Sequence, residues 1–167
     1  VGEKVFRAAE REAAYIAEHR AVREERVSMM VDFFRNFLDR CHHAKEEDHY
    51  FKMLREEGFG DTALIRELLE EHERGRKLIG RIDSALPSAA DGDSDSVTEI
   101  RDALREYVAM MHEHVDKENN DLFPRGNGAL NHEQQERLTA AFHHLESEEL
   151  GEGFHEKYLK LVDRLTR

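Results

Sequence analysis

The sequence predicts an all-α protein, an antiparallel up-and-down four-helix bundle with an additional C-terminal helix. Three observations carry this. Residues 3–57 contain no glycine or proline, and the 167 residues hold only two prolines and ten glycines in all, which favours helices over strands. Apolar residues recur at helical spacing through every long segment. Capping and turn residues punctuate the chain at intervals suited to short connections. Residues 1–167 are read as a single domain, long enough to bury a full core.

The first segment carries Val31, Phe34, Leu38, Cys41 and Met53 on a helical stripe. One helix over all of it would be unusually long, so a break is expected within 20–28, with Ser28 as an N-cap. Gly58-Phe59-Gly60 reads as a turn and Asp61 as the cap of the next helix. That helix is expected to run to about Ala85 on Ile65, Leu68, Ile79, Ile82 and Leu86. A loop is expected at 87–96, followed by a capping box of Ser96 and Glu99. The next helix should end near Leu122-Phe123-Pro124, because proline cannot continue it. Asn131 with Gln134 marks another capped start, and Gly151 and Gly153 interrupt the last segment.

The formal net charge is −12 and charged residues make up 37%. A surface this acidic repels nucleic acid and anionic membranes, so neither is an expected partner. No apolar run approaches the ~18 residues of a membrane span, and no signal peptide is legible. The expected location is cytoplasmic. Cys41 is the single cysteine; no internal disulfide is possible, and it reads most simply as a small core residue.

The eleven histidines matter by position. His42 and Glu46 are four apart, and so are His114 and Glu118, which places each pair on one face of a helix, one turn apart. Phe34, Leu38, His42, Glu46, His49 and Met53 fall on one line, as do Tyr107, Met111, His114 and Glu118, and Ile65, Leu68, His72, Gly75 and Ile79. Three helices thus insert a His, and two a Glu, where Leu is expected. A buried ionised Glu costs several kcal/mol unless it is paired or metal-bound. Imidazole with bridging carboxylate suits iron or manganese. Zinc fits less well, since it usually takes four closed ligands, often with cysteine. His43, His112, His132, His143 and His144 fall off the stripes and read as surface. Tyr107, two turns before His114, could donate a hydrogen bond near the site.

These motifs resemble those of hemerythrin-like (HHE cation-binding) domains. Cys-His-His-Ala-Lys-Glu-Glu-Asp-His at 41–49 is similar to the family's second-helix motif and Glu-His-Glu at 71–73 to its third. His-Val-Asp-Lys-Glu-Asn-Asn-Asp-Leu-Phe-Pro at 114–124 is similar to its fourth. The core resemblance spans 27–124, and residues 131–167 form a C-terminal helical extension. The resemblance implies two iron ions, oxo- or hydroxo-bridged and carboxylate-bridged. It makes His42, His72 and His114 terminal ligands and Glu46 and Glu118 bridges. It implies a protein that reacts with or senses oxygen, peroxide or nitric oxide, and an oxidoreductase or scavenger activity falls within that range. The alternatives are an iron storage or donation protein of the iron-centre repair type, and a helical interaction module with a structural metal.

The chain departs from the family in two places. Oxygen-carrying members have two His on the third helix, four apart; here Arg76 stands at the second position. Turned inward, Arg76 could stabilise a bound anion; turned outward, it snorkels to solvent. The family also supplies a first-helix His, and His19, in Glu18-His19-Arg20, is the one candidate in this chain. With a turn near residue 26, residue 10 would face His42, so the ligand is either His19 or lies upstream of Val1. In the last segment Leu138, Ala141, Leu145, Glu148, His155, Leu159 and Val162 share a stripe if the helix survives the glycines. His155 and Glu148 are then either edge residues of a packing helix or additional residues in or behind the metal shell.

Overall fold

The computed structural model describes residues 1–167. The chain is 89% helical without strands and forms six helices. They are α1 (Gly2–His19), α2 (residues 24–56), α3 (Thr62–Ala90), α4 (residues 94–129), α5 (residues 132–150) and α6 (Phe154–Thr166). No helix is long and apolar enough to cross a membrane.

Cross-helix pairs fix the up-and-down order of α1 to α4. Between α2 and α3, Arg35 pairs with Asp83, and Arg76 with both Asp39 and Glu47. Between α3 and α4, Arg81 pairs with Glu99 and Lys117 with Glu67. In each case residues later on one helix meet residues earlier on the other. Phe6 of α1 stacks on Phe34 of α2 and meets Tyr107 of α4 edge-on.

The first reversal is tighter than expected and lies at residues 20–23. Arg20 takes a left-handed conformation, φ 52. Glu12, fully buried, accepts from the Arg23 backbone N–H at 3.2 Å and from its guanidinium at 2.9 and 2.6 Å. This ion pair pins the turn, so α2 starts at Glu24 and Ser28 lies inside it rather than capping it. Asp61 does cap α3, accepting from the Leu64 N–H at 3.0 Å.

The expected loop at 87–96 shrinks to three residues. α3 continues through Pro87 to Ala90, and Asp93, not Ser96, caps α4 by accepting from the Ser96 N–H at 2.8 Å. Pro87 sits in the last turn, where it interrupts little of the ladder. α4 likewise passes Pro124. A π turn at Glu118–Leu122 precedes it, so the proline enters at the start of the segment Phe123–Ala129, where a missing N–H is best tolerated. The capping box of Asn131 and Gln134 is present, and positive φ at Gly151 and Gly153 separates α5 from α6.

The apolar interior is divided. A larger cluster holds Phe6, Phe34, Leu38, Ile79, Leu104, Met111 and Tyr158 among others. A smaller one holds Tyr50, Phe51, Leu54, Ile65, Leu68 and Leu122. Along α2, α3 and α4 the stretch between the two is polar.

Candidate metal centre

Five buried polar residues make up that intervening layer: His43, Glu46, His72, His114 and Glu118, each under 5% exposed. His43 and Glu46 come from α2, His72 from α3, and His114 and Glu118 from α4. The four-residue spacing sets each Glu beside a His of its own helix. His114 Nε2 lies 3.0 Å from Glu118 Oε1, and His42 Nε2 lies 3.4 Å from Glu46 Oε1. Across helices, His72 Nε2 is 3.4 Å from Glu46 Oε2 and 3.1 Å from His114 Nε2. One ligand atom each from Glu46, His72, His114 and Glu118 lies within 4.8 Å of the others, and the same holds for His43, His72 and His114.

The outward nitrogens decide what the inward ones present. His72 Nδ1 lies 2.7 Å from Glu47, His114 Nδ1 2.8 Å from Glu71, and His43 Nδ1 3.3 Å from Asp39. A carboxylate only accepts, so each Nδ1–H donates and a neutral ring turns its Nε2 lone pair inward. Carboxylate–histidine pairs of this kind orient metal-binding imidazoles. The inward set has acceptors in excess. Both Glu46 oxygens, Glu118 Oε1 and His43 Nε2 are buried without a hydrogen-bond partner. Such a group complements a cation, and leaving it uncompensated is costly.

The electrostatics show the same strain. Burial and the charge of Glu118 push the Glu46 carboxyl well above its ordinary value. Burial pushes Glu118 up as well, but His114 close beside it outweighs that and holds Glu118 down. Burial works against protonated His114, and Glu118 and Glu71 reverse that, raising it. Burial holds His43 down to about 3, against the pull of Asp39, so His43 stays neutral. The two buried carboxyls are thus pushed in opposite directions, as like charges sharing one site require.

A further shell of cations holds the outer carboxylates. Arg76 donates to Asp39 at 3.0 and 3.1 Å and to Glu47 at 2.6 Å. Lys117 binds Glu71 and, at 2.6 Å, Glu67. Burial raises Asp39, but hydrogen bonds with His43 and Arg76 prevail and bring it to about 2. Arg76 therefore neither enters the cluster nor extends freely into solvent. It acts on His43 and His72 through the carboxylates that hold them.

Other expected residues fall elsewhere. His19 is exposed, stacks on Tyr15 at 4.1 Å, and lies at the far end of α1. With the reversal at 20–23, the part of α1 level with His42 is its first turn, roughly 25 Å from His19 along the helix. Glu148 is exposed on α5 and Leu159 is 52% exposed on α6; the breaks at Gly151 and Gly153 destroy the shared stripe. His155 does not reach the layer, but borders a cavity with His42 and Glu118. Tyr107 is buried against Phe34 at 4.6 Å between centroids and borders a cavity with His43 and His72.

His43, which α-helical spacing assigns to the surface, is 4% exposed and stacks on His72 at 3.9 Å. The cause is local. Residues Phe33–His43 are wound as a π-helix. Positions nine apart face opposite ways on an α-helix, whereas the wider π turn carries Phe34 and His43 round to the same side. His42 is displaced toward the rim, its side chain 45% exposed. Asp39, Glu47 and Glu71 also escaped the sequence reading. The signal available for them was their position beside, or one turn from, the motif histidines.

Cavities flank the layer. One of about 460 Å³ is bordered by His42, His114, Glu118, Cys41, His155 and the start of α1. Another of about 270 Å³, on the α2–α3 side, is bordered by His43, His72, Arg76 and Tyr107. The family model described as hemerythrin HHE cation-binding domain matches residues 3–125, a span that contains the whole layer. No curated protein and no solved structure matches the chain.

Proposed function

The chain belongs to the hemerythrin HHE cation-binding domain family, and from that premise we propose that it holds two non-haem iron ions and reacts with or senses oxygen, peroxide or nitric oxide. The observation that carries this reading is the polarity of the histidine layer. Three imidazoles direct Nδ1 to carboxylates and Nε2 to a common point, where two buried carboxylates have unpartnered oxygens. The donor set fits a metal ion. It lacks thiolate, and imidazole with carboxylate suits iron or manganese better than zinc.

The count of two is supported by Glu46, whose two oxygens face different imidazoles, Oε1 toward His42 and Oε2 toward His72. His43, His72 and His114 would serve one ion and His42 the other, with Glu46 and Glu118 shared. Iron supplies the redox equivalents for chemistry with a small molecule. The chain's own part is to orient the imidazoles, hold the bridging carboxylates and limit access. The half-exposed His42 and the cavity of about 460 Å³ beside it would provide the side from which a small molecule enters. The size of that space and the buried polar layer behind it suit a small ligand.

Anaerobic loading with ferrous iron, elemental analysis, and visible spectra before and after oxygen test this. Two irons per chain and new ferric absorption after oxygen are expected. One tightly bound zinc and no iron would refute it, leaving a structural metal. Two irons that are lost to a chelator at neutral pH without reaction with oxygen would replace it with iron storage or donation.

A further inference from the structure

A second set of donors lies where α2, α5 and α6 meet. A ligand atom each of Cys41, Glu146 and His155 falls within 4.8 Å of the others. They come from three different helices. The positive-φ glycines 151 and 153 turn the chain between α5 and α6, so that His155 Nε2 returns to within 3.3 Å of Glu146 Oε1. Cys41 faces them from α2 and is 2% exposed. None of the three belongs to the layer of His72, His114, Glu46 and Glu118, although Cys41 and His155 border the same cavity as His42.

The chemistry of the group is distinct from that of the layer. A thiol, an imidazole and a carboxylate form a donor set for a divalent ion of zinc type, with three protein ligands and one position left to solvent. The place already attracts positive charge. Lys45, one turn beyond Cys41 on α2, extends its ammonium group to Glu146 and is largely buried there, near the face of Phe142. An internal cation thus occupies the carboxylate that a metal ion would need. His155, half exposed, leaves the group open to solvent on one side.

We propose that Cys41, Glu146 and His155 form a second metal site, for a single zinc-like divalent ion, with Lys45 as its built-in competitor. The ion binds when Lys45 releases Glu146 and turns outward. Binding then ties α5 and α6 to α2, beside the entry to the histidine layer. Lys45 lowers the affinity of the site, so its removal and the removal of a ligand act in opposite directions.

The test uses the full chain with its central layer already metal-loaded, titrated with cobalt(II) and, in parallel, zinc. One additional ion per chain is expected, with a thiolate-to-cobalt charge-transfer band. Cys41→Ser removes the band. His155→Ala and Glu146→Gln weaken binding by more than about tenfold, while Lys45→Met tightens it. Glu118→Gln, a change in the central layer, leaves the band intact, so failure of the iron assignment and failure of this one are distinguishable. Circular dichroism verifies that each variant is folded; His155, at the surface, provides the variant least coupled to folding. The absence of a thiolate band overturns the proposal, as does unchanged affinity in His155→Ala or weaker binding in Lys45→Met.

Discussion

Replacing Glu46 by Met separates the cost of the buried layer from its use. Glu46 is 4% exposed, and neither of its carboxyl oxygens has a hydrogen-bond partner. Burial and the nearby charge of Glu118 push its carboxyl well above its ordinary value, and in the absence of metal an unpaired buried polar group costs ~1–3 kcal/mol. Met is close in volume and needs no partner. The metal-free variant should therefore be more stable than wild type by about 2 kcal/mol. For a chain of this length that corresponds to a melting temperature roughly 4–8 °C higher. Metal reverses the order. Wild type at a free metal concentration about 100 times its Kd gains ~2.7 kcal/mol, whereas a variant bound about 100-fold more weakly gains only ~0.4 kcal/mol. Denaturant unfolding of both proteins, chelated and metal-loaded, measures all four states. A metal-free variant less stable than wild type, or one stabilised by metal as much as wild type, would refute the reasoning.

Glu71→Gln should keep the fold but weaken metal binding by about 10–100-fold, because His114 Nδ1 loses the carboxylate that orients it; competition with a chromophoric chelator measures this. His19→Ala should leave the metal spectrum and affinity unchanged, since His19 is exposed at the opposite end of α1; an altered spectrum would contradict the placement. The Asp39 carboxyl is lowered from 3.8 to about 2. A group depressed in this way contributes its stability fully above its unfolded value and loses it as pH falls through its folded value. The metal-free protein should therefore lose up to about 2 kcal/mol between about pH 4 and pH 2, less whatever solvent screening removes at this partly exposed side chain. Asp39→Asn should flatten that part of the unfolding curve; an unchanged acid limb would remove Asp39 from the balance.

Helix content, the turn at Gly58-Phe59-Gly60, the caps at Asp61 and Asn131, and the breaks at Gly151 and Gly153 were legible along the chain, because each depends on neighbours within a few residues. The inward placement of Glu46, His72, His114 and Glu118 was legible for the same reason: a polar residue repeated on an apolar stripe marks its own helix face. The loop at 87–96 and the helix end at Pro124 were misread where local rules met tertiary packing. Packing of α3 against α4 carries α3 past Pro87, and a π turn accommodates Pro124.

Periodicity and motif alone make the chain helical, bring histidine and glutamate inward on three of its faces, and carry the resemblance to a cation-binding family. The packing of the helices sets which partners those residues meet. It turned His43 inward, because Phe33–His43 winds with a π period that no α-helical stripe anticipates. It placed Asp39, Glu47 and Glu71 behind the three imidazoles, and Arg76 behind two of those carboxylates. It moved His19 away from the layer, because the buried contact of Glu12 with Arg23 sets the first reversal at residues 20–23. Periodicity specifies the face a residue takes on its own helix. The axial level it reaches against the neighbouring helices depends on where each turn closes, and that is fixed by contacts between residues far apart in the chain.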